Sequence, residues 1–359
     1  MNTKLHYNNI GNERTKLILV RIENIILNVV NSLCNNNKLV INLTKLSYWS
    51  SCVYDNKNHM ITKTLQFQTK RSRINFTIII YLLSKIYKNL MTKKSCTTRE
   101  LYYGDTILFK HSNIVRKALI DICCLLGAKS WELGITLTSS GLVAGNLKIY
   151  MSNGKILDCS GTTEGIQIPQ DIFDIDNFES KAKYILIVEK NASFQKIINE
   201  GFLKKNICKF VMITGKGFPD INTRLFVKQL SCKLNIPILV LVDANPFGIE
   251  IMCVYRFGSN SMVHQNEMLC VPSIKWLGVY PTDIESLNLP SIALTNLDQD
   301  RLKSLLKRSY INSNHKLLQQ VLLLYHLNRK SEIESLTTFT QTYLTEVYIK
   351  EKVLTQEFI

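Results

Sequence analysis

Three runs of apolar residues in the second half of the chain each end in polar side chains that can do phosphoryl chemistry. Glu189 follows the run ILIV, the segment TGKG at 214–217 follows FVMI, and Asp243 and Asn245 follow ILVLV. Carboxylates at two neighbouring strand ends can share a hard divalent cation, and Mg²⁺ prefers one or two carboxylates completed by water and phosphate oxygens. The pattern therefore indicates a magnesium site suited to phosphoryl transfer.

Each of these residues also has a structural alternative. A strand-terminal Asp or Glu often caps the next helix, and spacing alone favours that interpretation. The segment at 214–217 is not a Walker A loop, because G-x-x-x-x-G-K-[ST] is absent, so we expect no ATP-hydrolysing site of that type. Lys216 remains a source of positive charge near a phosphate.

The elements that must position these residues are the strands of an open parallel sheet. The apolar runs lie at Tyr184–Val188, Phe210–Ile213 and Ile238–Val242, and a helical pattern follows each of them. Strands that alternate with helices predict a doubly wound parallel α/β sheet with both faces covered. Ligands bind beyond the carboxyl ends of such strands, which is where the polar residues stand.

The first half of the chain has a mainly helical pattern. Residues 1–68 are rich in Asn and Lys, and they predict one amphipathic helix over 17–33 with loose polar sequence around it. Apolar residues return at helical spacing over 74–91 and again over 98–127, where the pattern predicts two short helices and a longer one. A basic cluster at 70–73 is either a solvated surface or a contact for nucleic acid.

After these helices the spacing of the apolar residues changes from helical to alternating. Residues 131–137 alternate between apolar and other types, and a second run ends at Tyr150 before the turn Ser-Asn-Gly at 152–154, which predicts a β-hairpin. Helices followed by a hairpin match the order of a winged-helix DNA-binding domain, although domains that do not bind DNA share this order. The Gly- and Pro-containing stretch at 160–180 predicts a linker.

Composition favours a globular protein with a polyanionic partner. The 359 residues are 46% hydrophobic and 20% charged, and 44 Lys plus Arg against 28 Asp plus Glu give a net charge of +16. The uninterrupted apolar runs are shorter than the ~18 residues of a membrane-spanning helix, and the polar N-terminus lacks the core of a signal peptide. We therefore expect no membrane partner and reduced thiols, and the ten cysteines show no zinc-ligand spacing.

Longer motifs give a resemblance to a known family. VEKNASF at 188–194, ITGKGFPDINTR at 213–224 and LVDANPFGIEIMCVYRFGS at 241–259 resemble the topoisomerase-primase (Toprim) domain of the meiotic double-strand-break transesterases. These are the eukaryotic relatives of the A subunit of type VI DNA topoisomerase. TTRELYYGDTILF at 97–109 is similar to the tyrosine motif of that family. Further landmarks are SSGLVAGNL at 139–147 and KSEIESL at 330–336.

The resemblance implies a catalytic tyrosine. Tyr103 would attack a backbone phosphorus of DNA, leaving a 5′-phosphotyrosyl bond and a free 3′-hydroxyl. A phenol with a pKa near 10 is a weak nucleophile at neutral pH, so it needs a base, a cation or tight positioning. Arg99 lies four residues earlier, on the same face of a helix, and we expect it to steady the tyrosine or the developing phosphorane charge. The alternative for Arg99 is a plain phosphate contact.

The resemblance also implies that Glu189 and Asp243 bind Mg²⁺, the expected cofactor. The commoner family pattern is D-x-D followed by Pro, whereas this chain has Asn245 at the second acidic position. An asparagine can offer a carbonyl oxygen to a metal but brings no charge, so we expect one-metal chemistry or weak activity.

A basic motif completes the residues that the resemblance assigns. Lys216 and Arg224 match K-G-[FY]-P-D-x-x-T-R, and we interpret them as contacts to DNA phosphate or as residues that order the site. A structural ion pair between Asp220 and Arg224 is the alternative.

The resulting prediction is a winged-helix plus Toprim enzyme that cuts duplex DNA as a homodimer and initiates meiotic recombination in the nucleus, on chromosomes. We expect an N-terminal extension at 1–68, a winged-helix domain at 69–170 with a CAP-like fold, and a Toprim domain at 171–359. A B-type topoisomerase VI-like subunit carrying the ATPase and other meiotic break factors are the expected partners. The alternatives are the A subunit of an ATP-dependent type IIB topoisomerase and a DNA-binding scaffold that has lost cleavage.

Overall fold

A computed structural model describes most of the chain. The described residues are 2–46, 60–136, 139–205, 210–259, 262 and 265–359. They fall into two compact units, of which the first holds the described residues up to 136 together with 262 and 265. The second unit holds 139–205, 210–259 and 266–359.

The first unit is built mainly from helices. They are α1 (Asn2–Cys34), α2 (Lys70–Thr92), α3 (Thr98–Tyr103), α4 (Thr106–Phe109) and α5 (Ser112–Leu126), followed by a 3₁₀ turn at Ser130–Leu133. Their apolar faces form one core, in which Ile22 of α1, Leu82 of α2 and Ile122 of α5 are all buried. The predicted helices at 17–33 and 74–91 are present, and 98–127 forms two short helices and a longer one, as predicted.

The first unit also contains strands that the sequence analysis missed. β1 (Val40–Leu46) and β2 (Met60–Gln66) pair antiparallel, so the prediction of loose polar sequence around α1 is wrong for these segments. Ile41, Leu43 and Leu65 are buried on one face, and the Asn and Lys residues between them conceal this alternation. A second short pair is formed by β3 (Cys96–Thr97) and β4 (Ile135–Thr136), which run parallel.

A six-stranded sheet forms the centre of the second unit. The strands of this unit are β5 (Leu142–Gly145), β6 (Lys148–Met151), β7 (Ile156–Asp158), β8 (Ile166–Gln167), β9 (Ile175–Glu179), β10 (Tyr184–Val188), β11 (Phe210–Thr214), β12 (Ile238–Leu241), β13 (Lys275–Gly278), β14 (Ile292–Ala293) and β15 (Arg329–Lys330). The sheet order is β13-β12-β10-β11-β5-β8, and β10 to β13 run parallel. The predicted parallel strands are therefore confirmed. Their side chains are buried because both faces of the sheet are covered.

Helices surround this sheet and connect its strands. They are α6 (Asn191–Asn199), α7 (Phe202–Lys205), α8 (Ile221–Leu234), α9 (Pro246–Arg256), α10 (Asn266–Leu269), α11 (Pro281–Ser286), α12 (Asn296–Leu306), α13 (Ser309–Asn312), α14 (His315–Leu327) and α15 (Ile349–Thr355), with a 3₁₀ segment at Ile333–Thr338 and a π-helix at Tyr343–Tyr348. A helix follows each of β10, β11 and β12, as a doubly wound sheet requires.

Two local expectations differ from the structure between the two halves of the chain. The alternating residues at 131–137 form a 3₁₀ turn and only the short β4, and Leu137 lies outside the described residues. The segment predicted as a linker contains β8 and β9, because its apolar residues Ile168 and Phe178 are buried. The predicted hairpin is present as β6 and β7, and it belongs to the second unit.

One helix was overlooked when uninterrupted apolar runs were compared with the length of a membrane-spanning helix. Glu13–Cys34 of α1 is long and apolar enough, by length and composition alone, to cross a membrane. Counting uninterrupted runs overlooks it, because uncharged Asn residues are spaced through the stretch. Ile18 and Ile22 of the same helix are buried in the core of the first unit, and a core helix passes the same test.

Candidate active site

Glu189 stands at the carboxyl end of β10 and is nearly buried. The strand sequence YILIV places its last four residues in the core, and the carboxylate follows where the strand ends. Its Oε2 accepts a hydrogen bond from the backbone N–H of Asp243 at 2.9 Å. Burial, and after it the negative charge of Asp243, raises the pKa of Glu189 to about 7. A carboxyl group in this environment is stabilised by a nearby cation.

Asp243 stands at the neighbouring strand end, because β10 and β12 are parallel partners. It is 1% exposed. Its Oδ1 accepts a hydrogen bond from the backbone N–H of Ile333 at 2.9 Å, and its Oδ2 lies 3.0 Å from Nζ of Lys190. Burial is the main cause that raises the pKa of Asp243 above its usual range. The structure therefore brings Glu189 and Asp243 together.

Asn245 begins the helix that follows this strand end. Its Oδ1 accepts a hydrogen bond from the backbone N–H of Gly248 at 2.7 Å, so the side chain caps α9. Its Nδ2 then faces Asp243 and donates to Oδ2 at 3.2 Å. The carbonyl oxygen that the sequence analysis offers to a metal is thus used by the helix, and an amide donor faces the acid instead.

A glycine allows α9 to begin this close to the acids. A Cβ atom at Gly248 would lie 2.4 Å from the carbonyl oxygen of Asp243 and 3.0 Å from Oε2 of Glu189. Contacts this short are not tolerated by backbone atoms. The first turn of α9 can therefore cross the two strand ends only with glycine at this position.

Sequence reasoning missed the cation that lies among these acids. Nζ of Lys190 lies 3.0 Å from Asp243, 3.1 Å from Oε2 of Glu332 and 3.1 Å from Oε2 of Glu334. Both motifs that supply these residues, VEKNASF and KSEIESL, were identified as family landmarks without a role for these side chains. The available signal was a lysine adjacent to a predicted metal ligand.

The donors at the strand ends are compatible with Mg²⁺. The described ranges contain no set of three or more His, Cys, Asp or Glu side chains arranged to hold a metal ion. Mg²⁺ needs fewer protein ligands than that, because it keeps waters and binds substrate phosphates through one or two carboxylates. Asp243 already accepts a cationic partner, the ammonium of Lys190, at 3.0 Å. Two buried carboxylates that attract a cation fit the requirements of one hard ion.

The TGKG segment lies directly beside Glu189. The backbone N–H of Gly217 donates to the carbonyl oxygen of Glu189 at 2.9 Å, and Oγ1 of the buried Thr214 donates to the same oxygen at 3.3 Å. Lys216 adopts a positive φ of 58° with its side chain exposed. The loop therefore holds an exposed lysine beside the end of β10.

Arg224 has a different environment from Lys216. It lies on α8 and is 2% exposed, and burial lowers its pKa to about 10. Asp220 does not pair with it: one carboxylate oxygen accepts from the backbone N–H and hydroxyl of Ser140, both at 2.7 Å, and the other caps α8 through the N–H of Thr223. Burial favours the site-ordering alternative for Arg224 over a direct phosphate contact.

Tyr103 and Arg99 lie in the first unit, on α3. Thr97 and Glu100 form a capping box at the start of this six-residue helix, and Leu101 anchors it in the core. Tyr103 is 72% exposed, with its ring 5.2 Å from that of Tyr102. Arg99 is also exposed, one turn earlier. The tyrosine hydroxyl is therefore open to a substrate, and the acids belong to the second unit.

Comparison with known sequences agrees with this arrangement. The family model described as "Type IIB DNA topoisomerase" matches residues 74–135, and a second model, which describes the Toprim domain of the topoisomerase 6 A-subunit/Spo11 family, matches residues 184–353. The first match includes Tyr103, and the second includes Glu189 and Asp243.

Similar relatives come from several eukaryotes. Meiotic recombination protein SPO11 of Homo sapiens is 36% identical, over 93% of this chain and 87% of the human protein. Meiotic recombination protein W68 of Drosophila melanogaster is 35% identical, over 81% of this chain and 86% of its own length. The A subunit of DNA topoisomerase 6 from Arabidopsis thaliana is 32% identical, over 79% of this chain and 66% of its own length. The chain therefore belongs to the topoisomerase 6 A-subunit/Spo11 family and carries its Toprim domain.

Proposed function

We propose that this chain cleaves double-stranded DNA by tyrosine transesterification and makes the breaks that initiate meiotic recombination. The observation that carries the proposal is the pair of buried carboxylates, Glu189 and Asp243, at neighbouring strand ends, where the backbone N–H of Asp243 donates to Oε2 of Glu189 at 2.9 Å. Such a pair has little structural value, because burying two like charges is costly without a cation. The names of the human and Drosophila relatives identify the meiotic context.

The chemistry proposed for Tyr103 conserves the phosphodiester energy. Its phenolic oxygen attacks a backbone phosphorus and loses its proton, and the new bond joins tyrosine to the 5′-phosphate. The bond from phosphorus to the 3′-oxygen breaks, and that oxygen takes up a proton and leaves as a hydroxyl. Arg99 lies one helical turn before Tyr103, where its guanidinium can contact the same phosphate.

Glu189 and Asp243 are the residues that we propose to hold Mg²⁺. When bound, the ion neutralises phosphate charge and stabilises the leaving 3′-oxygen. Asn245 orients α9 and donates to Asp243 without adding charge, so one ion is the expected complement. Lys216 is proposed to contact a phosphate, and the buried Arg224 is proposed to order the site without touching DNA.

Two protomers are needed to cut both strands, because each tyrosine cuts one. We propose a homodimer in which a tyrosine of one protomer acts with the acids of the other, as the family resemblance implies. Residues 69–170 are proposed to have a winged-helix fold that binds DNA, and α3 to α5 supply its helices. The net charge of +16 favours phosphate contacts, so affinity should fall steeply as salt rises. The domain divisions at 68/69 and 170/171, and a nuclear, chromosomal location, remain part of this proposal.

An apolar face on α1 supports docking of a B-type, ATPase-bearing subunit. Exposed apolar residues recur along this helix at Leu17, Val20, Leu27, Val30 and Leu33. An exposed apolar stripe of this length is typical of a surface for a partner helix. Loss of the partner in a pull-down is expected for Leu27→Ser combined with Val30→Ser, which leaves the buried Ile18 and Ile22 in place, and unchanged recovery would contradict the docking role. Other meiotic break factors remain proposed partners.

A second candidate is the A subunit of an ATP-dependent topoisomerase. The match to the topoisomerase 6 protein of Arabidopsis thaliana favours it, since cleavage parts are shared. ATP-dependent relaxation of supercoiled DNA in the presence of a B-type partner would select this candidate. A scaffold without cleavage is favoured only by Asn245.

The proposed reaction is tested by recovering the protein under denaturing conditions from meiotic cells and end-labelling any attached DNA. Labelled oligonucleotide on the native chain and none on Tyr103→Phe establishes tyrosyl transesterification. Tyr102→Phe is the matched control, because it removes the neighbouring hydroxyl and should leave the label in place. Absence of label from the native chain, with the protein expressed beside its partners, would favour the scaffold.

A further inference from the structure

Lys190 is bound by three carboxylates at once. Its Nζ lies 3.0 Å from Asp243, 3.1 Å from Glu332 and 3.1 Å from Glu334. An ammonium has three N–H donors, so each donor has one acidic partner. Asp243 is buried, whereas the side chains of Glu332 and Glu334 are 58% and 40% exposed. The lysine therefore bridges a candidate metal ligand and a pair of outer acids.

The outer acids are held beside the site by backbone contacts. Ser331 N–H donates to the carbonyl oxygen of Ala244 at 3.2 Å, and Ile333 N–H donates to Asp243 at 2.9 Å. Glu334 is oriented further by the hydroxyl of Ser193 on α6, which donates to its Oε1 at 2.7 Å. The backbone that carries the outer acids, and the carboxylate of Glu334, are thus held by contacts that do not involve the lysine.

A metal ion that binds Asp243 must share this carboxylate with its present partners. Oδ1 accepts a hydrogen bond from the backbone N–H of Ile333, which cannot move away unless the chain moves. Oδ2 contacts the ammonium of Lys190 and the amide nitrogen of Asn245. Lys190 is the mobile partner, because it has a long side chain that is 30% exposed. It is also the partner that a divalent ion repels. Glu332 and Glu334 offer it two acceptors when it leaves Asp243.

We propose that Lys190 is a resident counter-cation of the acid pair, which the divalent ion displaces from Asp243 onto Glu334. This inference rests on the proposed magnesium site. Lys190 then limits the affinity of the site for metal, and Glu334 raises that affinity by holding the displaced lysine. Both are positioning residues, because they act through Asp243.

A double-mutant cycle on Mn²⁺ binding tests this proposal. The four full-length proteins are the native chain, Lys190→Met, Glu334→Gln and the double variant, and the dissociation constant of Mn²⁺ is measured by calorimetry. We expect Lys190→Met to tighten binding about tenfold and Glu334→Gln to weaken it about tenfold, the scale of changes made beside metal ligands. In the Lys190→Met background, Glu334→Gln should change the constant by less than about twofold, because there is no lysine left to hold.

A second lysine separates this role from a general effect of charge. Lys196→Met removes the same charge from α6, where Lys196 pairs with Glu200 at 3.5 Å. We expect this control to bind Mn²⁺ as the native chain does. Circular dichroism of each variant confirms that it is folded.

Three outcomes would overturn the proposal. Equal weakening by Glu334→Gln in both backgrounds means that Glu334 acts on the metal itself. Weaker binding by Lys190→Met means that the lysine supports the ion and does not compete with it. Absence of Mn²⁺ binding from all four folded proteins refutes the magnesium site as well, which distinguishes failure of the proposed function from failure of this inference alone.

Discussion

Replacing Asn245 by Asp tests whether a cation belongs between the strand ends. The amide nitrogen of Asn245 lies 3.2 Å from Oδ2 of Asp243, so Asn245→Asp puts a second negative charge at about that distance. Two unit charges at that separation repel by about 5 kcal/mol at an effective dielectric constant of about 20. Asp caps helices as well as Asn does, so the start of α9 is retained.

Protonation limits the cost of this substitution. Protonating a carboxyl group whose ordinary pKa is near 4 costs about 4 kcal/mol at about pH 7, so the destabilisation caused by the substitution cannot exceed this value. Rotation of the new side chain, which is part-exposed, lowers the cost further, so we expect about 2–4 kcal/mol in the absence of metal. For a unit of this size, the corresponding decrease in Tm is roughly 5–10 °C.

The assay is thermal unfolding followed by circular dichroism, in EDTA and in saturating Mg²⁺. Asn245→Asp should lose stability in EDTA and recover it in Mg²⁺, giving a larger Mg²⁺-induced increase in Tm than the native chain shows. Asn245→Ser is the control, because it keeps the cap without the charge and should cost at most about 1 kcal/mol. If Asn245→Asp gains no more stability from Mg²⁺ than the native chain does, no divalent ion lies between these residues, whereas full stability in EDTA would mean that Lys190, 3.0 Å from Oδ2 of Asp243, already offsets the added charge.

Three further outcomes follow from the environment of individual residues. The pKa of Glu189, raised to about 7 by burial, lies above its unfolded value, so proton uptake stabilises the metal-free protein at low pH. Its Tm should fall as the pH rises from about 5 to 8, and Glu189→Gln should reduce this fall. Arg224→Met should leave Tm unchanged or raise it, because this 2% exposed arginine has no hydrogen-bond partner for Nε or Nη2 among the described residues. A marked loss of stability on calorimetry would contradict that reasoning. Gly248→Ala should cost about 1–3 kcal/mol and weaken Mn²⁺ binding, because its Cβ would lie 2.4 Å from the carbonyl oxygen of Asp243. Native-like binding would show that α9 can shift without disturbing the acids.

Local patterns were sufficient to predict the parallel strands and the meeting of their ends. The runs that became β10, β11 and β12 are uniformly apolar, and parallel strands align their carboxyl ends, so Glu189 and Asp243 were expected at one edge of the sheet. They stand side by side because the sheet order places β10 between β12 and β11. The helices of the first unit follow from apolar residues at helical spacing.

Polar-looking segments were predicted less well. β1 and β2 alternate buried and exposed residues, but the Asn and Lys residues on the exposed face make these segments polar overall and hide the alternation. The segment at 160–180 has the Gly and Pro content of a linker, yet its isolated apolar residues complete the core beside β5 and β6. Isolated apolar residues indicate a strand only when the surface against which they pack is known.

The sequence by itself determined the family, the residue types at the strand ends and the alternation of strands and helices along the chain, because motifs and periodicity are local properties. Only the tertiary structure decided how each side chain is used. Lys190 and Glu334 are 144 residues apart and meet at 3.1 Å because the chain returns to the same sheet edge. The amide of Asn245 faces Asp243 because α9 takes its oxygen, and Arg224 is buried because α8 turns that face inward. Such contacts depend on the packing of distant segments, and no local pattern encodes that packing.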